Sequence, residues 1–245
     1  MTLLIPAYNE EAVLERFLDA ALGSAAPDWE LLVVDDGSAD RTGDIADAAA
    51  QSHDSVRVIH HSRNRGLGGA LATGFRNAQG DVVVTIDADL SHPLDLVPRM
   101  VAETAHSDVV FASRFIAGGS MLGVPQHRVL ISTLANRVLR VLLRTQTHDL
   151  TTGLRAYRRP AVQSLDLRAT GFAVQLEITV RLEAAGCRAV EVPLVLGNRA
   201  AGESKMRYLQ LLPRYAAVTA SLLWLRWGVG RGAPARRARV NRSAG

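Results

Sequence analysis

Apolar and polar positions alternate in blocks along the first half of the chain. Leu3–Tyr8 is an apolar run of strand length. Residues 10–22 then set Val13, Leu14, Phe17, Leu18 and Leu22 at helical spacing. The alternation continues with strands over 29–37, 56–61, 81–89 and 108–115, separated by helices over 39–51, 68–80 and 92–105. The strands are rich in Val, Ile and Leu on both faces. That pattern predicts an α/β fold: a mostly parallel sheet with helices on both faces.

The second half is less regular. Residues 128–144 read as a helix on which Arg137, Arg140 and Arg144 fall within about 60° of each other, with Leu and Val opposite. A helix around 173–185 and a strand over 189–196 follow. The last apolar run, 215–225, holds eleven residues without a charge. A bilayer span needs roughly twenty. The run therefore either lies in a membrane interface, with Trp224 and Trp227 at headgroup depth, or packs on the core. No internal repeat and no interdomain linker stand out.

Composition narrows the class. With 48% hydrophobic and 21% charged residues in 245, the chain is globular. Its single cysteine, Cys187, excludes an internal disulfide framework and fits a reducing compartment. The first strand begins at Leu3, which leaves no room for a charged leader segment, so the expected location is the cytoplasm. Six arginines and no acid lie between Arg226 and Gly245; without them the net charge of +4 becomes −2. Such a tail suits anionic lipid, nucleic acid or plain solvation.

In parallel sheets ligands sit beyond the carboxyl ends of the strands. Polar clusters fall there: "AYNEE" after the first strand, "DDGSADRT" after the second, "DADLSHP" after the fourth and "SRF" at the end of the fifth. Asp87 and Asp89, two apart on an extended chain, point the same way and repel each other. A divalent ion shared with a diphosphate would offset that repulsion, since Mg²⁺ and Mn²⁺ take one or two carboxylates together with phosphate oxygens. Asp35 and Asp36 could accept from a ribose hydroxyl or a base N–H, or serve as turn residues. "NRGLGGA" is not a dinucleotide fingerprint, because it opens the third helix and its last glycine is misplaced; tight helix packing accounts for it. Arg114, Arg128, Arg199 and Lys205 suit contacts to phosphate.

Taken in order, "PAYNE", "VVDDGSADRT", "NRGLGGA", "DADLSHP", "SRF", "DLTTGLRAYRR", "GFAVQLEI" and "VEVPLVLGNRAAGESKM" resemble the polyprenyl-phosphate (dolichyl-phosphate) mannosyltransferases of glycosyltransferase family 2, over residues 3–210 or so. The resemblance implies a GT-A, Rossmann-like domain over 1–210, an interfacial amphipathic helix over 211–228 and a basic tail over 229–245. It implies inverting, metal-dependent transfer of mannose from GDP-mannose to a polyprenyl monophosphate, with Mg²⁺ or Mn²⁺. Pro6, Tyr8 and Glu10 would contact the nucleoside, Val34 and Asp36 the base or ribose, and Asp87, Ala88 and Asp89 the diphosphate. Asp87 and Asp89 would hold the metal; Ser91 stands where some relatives carry a glutamine ligand. Arg114 and Arg128 would receive the lipid phosphate, Arg199 and Lys205 would close on the donor, and Gln175 and Glu177 match a Gln-x-Glu near the sugar. Asp89, Arg114, Arg128, Gln175 and Glu177 are thus the catalytic candidates.

Some relatives carry C-terminal transmembrane hairpins that this sequence lacks. Attachment to the inner face of the membrane would then be peripheral, through the interface or through an anchoring partner protein, and no nucleic acid is implied. Two alternatives stand beside this reading. One is transfer of glucose or another sugar from a UDP-sugar to polyprenyl phosphate or a glycan. The other is a non-catalytic module that binds membrane or nucleic acid through the arginine tail.

Overall fold

The computed structural model describes residues 1–24, 26, 28–197 and 208–228. Arg199, Lys205 and the basic tail 229–245 lie outside the described residues. In chain order the elements are β1 (Thr2–Ala7), α1 (Leu14–Ser24), β2 (Glu30–Asp35), α2 (Thr42–Ser52), β3 (Val56–His60), α3 (Gly66–Asn77), β4 (Val82–Thr85), α4 (Leu96–Glu103) and β5 (Val109–Ser113). They continue with β6 (Ser120–Met121), α5 (Gln126–Leu143), β7 (Arg155–Arg158), α6 (Arg159–Gln163), α7 (Val174–Ala184), β8 (Ala189–Pro193), β9 (Val195–Leu196) and α8 (Tyr208–Gly228).

Seven strands form one sheet in the order β3-β2-β1-β4-β7-β5-β8, and β6 pairs with β9 in a small second sheet. Every pairing in the large sheet is parallel except those of β7, which runs antiparallel to both β4 and β5. The apolar runs are continuous because both faces are covered. Leu3 and Ile5 of β1 point into one core with Phe17, Leu18 and Met100 of the helices on that side. Leu4, between them, points into the other core with Leu71, Phe75, Val174 and Ile178. Helix α3 lies close on the sheet: a Cβ at Gly74 would come within 2.2 Å of Leu4 Cδ1.

The described elements match the predicted ones through β5, with ends shifted by a few residues. Two differences follow from local chemistry. The predicted strand over 189–196 breaks at Leu194 into β8 and β9. More consequential is β7, unassigned in the sequence pattern because its first residue, Arg155, is a cation in a four-residue strand. Arg155 is nonetheless fully buried. Its guanidinium donates to the carbonyls of Thr152 (2.8 Å), Leu150 (3.1 Å) and Gln175 (2.8 Å) and to Thr179 Oγ1 (3.0 Å), and lies 4.8 Å from the ring centre of Phe111. A buried charge is tolerable only when its hydrogen-bonding capacity is met in this way.

A third, smaller cluster of buried side chains joins Leu143, Leu150, Leu176, Val180 and Leu222, with Leu139, Tyr215 and Val218 packed around them. It seats α8 on α5 and α7. Helix α5 departs from its expected amphipathicity. The face bearing Asn136, Leu139 and Leu143 meets α8 and the loop beyond, while Leu130, Ile131, Leu134, Val138, Val141 and Leu142 are exposed. The outward apolar face is centred about 160° from the packed one.

Replacing Arg155 with methionine should keep the volume but strip the carbonyls of Leu150 and Thr152 of their side-chain donor, while that of Gln175 keeps the Thr179 hydroxyl. The expected loss is about 3 kcal/mol or more of folding free energy, read from the midpoint of urea denaturation. An unshifted midpoint would contradict this account of β7.

Candidate active site

The carboxyl ends of β1, β2 and β4 open onto a cavity of about 590 Å³. Of the residues singled out from sequence, Pro6, Tyr8, Glu10, Asp36, Asp87, Ala88 and Asp89 lie on its wall. Val34 does not; its side chain is buried in the core beneath. Arg114, Arg128, Gln175 and Glu177 are not on this wall either, and Arg199 and Lys205 lie outside the described residues. Asn9, Asn64, Arg65 and the segment Thr170–Gly171–Phe172 also line it. Asn9 belongs to the strand-end cluster "AYNEE"; Asn64 and Arg65 open "NRGLGGA", whose glycines point to helix packing, and Gly171 and Phe172 open "GFAVQLEI", whose visible signal is the Gln-x-Glu pair.

The loop after β1 is buttoned to the loop after β2. Asn9 N–H donates to Ser38 Oγ (3.0 Å) while Ala39 N–H donates back to Asn9 Oδ1 (2.9 Å), and Glu10 N–H donates to Thr42 Oγ1 (2.8 Å). Arg41 N–H closes the set on Glu11 Oε2 at 3.1 Å. Asn9 itself sits in the left-handed region, at φ 51°, where asparagine is among the few side chains tolerated. The loops that carry Tyr8 and Glu10 are therefore fixed by reciprocal bonds.

Behind them, Asp35 Oδ2 meets His60 Nδ1 at 2.9 Å, and the other ring nitrogen meets Asp47 Oδ1 at 3.0 Å. Hydrogen bonding to Asp35, then to Asp47, raises the His60 pKa above its ordinary value. Asp36 is paired with a second histidine: Asp36 Oδ1 meets His61 Nδ1 at 2.6 Å and accepts Arg65 N–H at 2.9 Å.

At the end of β4 the backbone turns through Leu90, at φ 59°. Asp89 Oδ1 accepts both the amide of Ser91 (3.0 Å) and its hydroxyl (2.6 Å). Ser91 is buried and its hydroxyl orients Asp89 from behind rather than facing the cavity. Asp87 is backed by the turn before β7: a Cβ at Gly153 would come within 2.7 Å of Asp87 Oδ2, so only glycine allows this approach. His92 Nδ1 lies 3.9 Å from the same oxygen. That nitrogen is buried and, among the described residues, has no hydrogen-bond partner. Burial lowers the His92 pKa, outweighing the upward pull of Asp87 and Asp89.

The donor set at Asp87 and Asp89 fits a hard divalent cation. Both side chains offer carboxylate oxygen on one cavity wall, and one oxygen of Asp89 is already oriented by Ser91. Among the described residues no third His, Cys, Asp or Glu joins them. Two carboxylates with an adjoining cavity match a cation that shares its shell with substrate phosphates and water.

Arg114, at the end of β5, is gripped by Asp149. Its Nε and one terminal nitrogen donate to the two Asp149 oxygens at 2.7 Å each, and the same terminal nitrogen donates to Thr151 Oγ1 at 2.7 Å. Asp149 has no exposed surface. Burial alone would raise its pKa, but the hydrogen bonds and charge of Arg114, with amides of Arg114 and Thr151, hold it below the usual carboxylate value. Further carboxylates and an amide fix the loop that carries Asp149. Glu191 accepts the amides of His148 (3.0 Å) and Asp149 (3.1 Å), Glu183 accepts that of Thr147 (3.2 Å), and Asn136 Oδ1 accepts that of Leu150 (2.9 Å). Arg128 is exposed in the first turn of α5. Glu177 supports the cavity wall from behind, accepting the amides of Arg168 (3.0 Å) and Ala169 (2.8 Å) and the Arg181 side chain (2.8 Å). Gln175 is buried, and its carbonyl accepts from Arg155 at 2.8 Å.

The carboxyl ends of a mostly parallel sheet thus present two carboxylates, Asp87 and Asp89, to one cavity, an arrangement suited to a divalent cation and a phosphate-bearing ligand. Residues 2–166 match glycosyl transferase family 2, and the chain belongs to that family. It is 40% identical over 209 residues to the undecaprenyl-phosphate mannosyltransferase of Micrococcus luteus, covering 83% of this chain and 86% of that one. It is 38% identical over 211 residues to the polyprenol monophosphomannose synthase of Mycolicibacterium smegmatis, covering 83% and 79%. Among solved structures, glucosyl-3-phosphoglycerate synthase from Mycobacterium tuberculosis, crystallised with Mg²⁺ and uridine diphosphate, superimposes with a TM-score of 0.69 at 25% identity, covering 93% of this chain and 79% of that one.

The pKa of His60 gives a pH signature. A histidine that binds its proton more tightly when folded adds stability in full below its unfolded pKa and loses it as pH rises through the folded value. The stability gap between the protein and its His60→Gln variant should be widest below pH 6.5, the ordinary histidine value, and should narrow as the solution is made alkaline. Denaturation curves across that range check it, and a gap independent of pH would contradict it.

Proposed function

We propose that this glycosyltransferase moves mannose from GDP-mannose to a polyprenyl monophosphate, with inversion at the anomeric carbon, on the cytoplasmic face of a membrane. The observation that carries the reading is the pair Asp87 and Asp89 on the cavity wall, in a chain 40% identical to an undecaprenyl-phosphate mannosyltransferase.

Asp87 and Asp89 would hold Mg²⁺ or Mn²⁺ against the donor diphosphate. Such an ion supplies charge neutralisation of the departing nucleoside diphosphate. The nucleoside would lie against Pro6, Tyr8, Glu10 and Asp36, with Ala88 beneath the diphosphate. Val34 lies in the core under that wall, and Arg199 and Lys205 would close over the donor. The acceptor is a phosphate monoester whose second pKa is about 6, so it is an anionic nucleophile at neutral pH and needs no base. Arg114, held rigid by Asp149, and Arg128 would orient that phosphate and reduce its repulsion from the donor. Glu177 acts here through the amides of residues 168 and 169 that it holds, and Gln175 through its main-chain carbonyl, which accepts from Arg155 of β7.

The exposed face of α5 fits the lipid part of the acceptor. Leu130 is 69% exposed, Leu134 59% and Val141 75%, and on α8 Trp224 is 76% exposed. An apolar stripe of this kind beside arginines is what an interfacial helix presents to a bilayer. The attachment proposed is peripheral, directly or through an anchoring protein; among the described residues no helix is long and apolar enough to cross a membrane. A UDP-sugar donor is the second reading, favoured by the uridine diphosphate in the superimposed synthase.

Incubating the protein with labelled GDP-mannose, UDP-glucose and other nucleotide sugars in the presence of a polyprenyl phosphate decides the donor. GDP-mannose should give an acid-labile lipid product, lost on adding EDTA and reduced at least about a hundredfold by Asp89→Ala. Label transferred only from UDP-glucose would replace the proposed donor, and wild-type activity of Asp89→Ala would remove the metal assignment.

The triple variant Leu130→Glu, Leu134→Glu, Val141→Glu should weaken binding to anionic phospholipid vesicles by about a hundredfold. Turnover of a short-chain, water-soluble acceptor phosphate should be kept. Vesicle co-sedimentation alongside that assay separates docking from chemistry.

A further inference from the structure

The contact between Asp36 and His61 is more specific than a structural brace requires. Both side chains are buried, with 4% and 5% of their surfaces exposed. Asp36 nevertheless reaches the cavity wall. Its two donors, His61 Nδ1 at 2.6 Å and Arg65 N–H at 2.9 Å, fall on the same oxygen, Oδ1. No described residue donates to Oδ2. An ionised carboxylate has about four lone-pair positions, so one oxygen is committed to the protein and the other is left for the cavity.

The ring is fixed at its far end as well. His61 Nε2 lies 2.9 Å from Thr73 Oγ1, on α3. An aspartate only accepts, so Nδ1 carries the proton toward Asp36. Nε2 pairs with the Thr73 hydroxyl, which can serve as donor or acceptor. The main chain adds a third fastening, His61 N–H to the Asp35 carbonyl at 2.9 Å. Thr73, His61 and Asp36 thus form a line of buried hydrogen bonds from the middle of α3 to the cavity.

We propose that His61, anchored by Thr73, is a positioning residue for the donor nucleotide: it fixes the rotation of the Asp36 carboxylate so that Oδ2 faces a ribose hydroxyl or base N–H. This rests on the assignment of Asp36 to the nucleoside. Without the imidazole donor the carboxylate turns freely and Oδ1 competes for the same ligand hydrogen, so the cost falls on donor affinity. The acceptor phosphate, attributed to Arg114 and Arg128, is not involved.

The test is calorimetric titration of the full chain with GDP and, separately, UDP in the presence of Mg²⁺, followed for whichever binds the unaltered protein more tightly. His61→Phe keeps the ring and removes the donor; its Kd should rise about tenfold, the worth of one buried hydrogen bond to a charged group. His61→Asn returns an amide N–H at the position of Nδ1 and should bind within about threefold of the unaltered protein. The donor KM should follow Kd while the acceptor KM stays unchanged, a split that a general loss of packing would not produce. Thr73→Val, which loosens the ring without removing it, should raise Kd by a smaller factor and serves as the measurement if His61→Phe does not fold. Asp36→Asn separates the two levels of the argument. If it binds nucleotide as the unaltered protein does, the nucleoside assignment of Asp36 fails. If it weakens binding while His61→Phe and Thr73→Val do not, the role of His61 is overturned and that of Asp36 stands.

Discussion

A cation with no exposed surface holds the two sides of the site together. Arg155 spends its donors on the carbonyls of Leu150, Thr152 and Gln175 and on the hydroxyl of Thr179. It thereby ties the turn before β7 to α7. That turn carries Gly153, packed against Asp87, and Asp149, which grips Arg114. The proposed donor carboxylate and the proposed acceptor cation are thus set by one short segment, and the segment's geometry is set by Arg155. Burying a guanidinium among carbonyls is costly unless every donor is met, so the loop has few alternative conformations. The antiparallel insertion of β7 between β4 and β5 is what places this loop at the carboxyl edge of the sheet.

How much of this could be read from the chain depended on which force was deciding. Burial on both faces fixed β1 to β5 and the helices between them, and it leaves continuous apolar runs that are easy to see. It also puts the polar strand ends on one edge, so the clusters that hold Tyr8, Glu10, Asp36, Asp87 and Asp89 are legible in the sequence, whereas Asn64 and Arg65 are not. Strand β7 was not, because its stability comes from hydrogen bonds made by a charged side chain, and hydropathy patterns count such a residue against a strand. The same blindness applied to Glu177 and Ser91. Both are carboxylate or hydroxyl groups of the expected kind, and both turn toward the protein, one holding the amides of residues 168 and 169, the other orienting Asp89. Helix periodicity located α5 but not which face would be covered, since apolar residues encircle most of it.

The charges of the site are graded by burial. Asp36, Asp149 and His92 are nearly or fully enclosed, while Asp87 keeps about a third of its side chain exposed, at 35%. The enclosed groups are each fixed by neighbours or kept neutral: Asp149 is neutralised by Arg114, Asp36 is hydrogen-bonded to His61, and burial disfavours the charged form of His92. A group that must exchange ligands during a reaction needs access, whereas one that must hold a direction needs enclosure. The division between Asp87, open to the cavity, and the enclosed Asp149 follows that rule.

The outward apolar face of α5 makes sense beside the same logic. A lipid phosphate presents an anion and a hydrocarbon chain that prefer opposite environments, and a protein that handles both must separate them over a short distance. Helix α5 carries Arg128 in its first turn and continues into exposed Leu130, Leu134 and Val141, so charge and apolar surface succeed one another within a few turns. Its other side is locked to α8 through Leu139, Leu143 and Leu222, and Asn136 on that side holds the amide of Leu150, next to Asp149. The exposed face and the loop that fixes Arg114 therefore belong to one packed unit. The helix proposed to meet the lipid and the arginine proposed to meet its phosphate are connected through buried Asn136 and the packed cluster of Leu143, Leu150, Leu176, Val180 and Leu222.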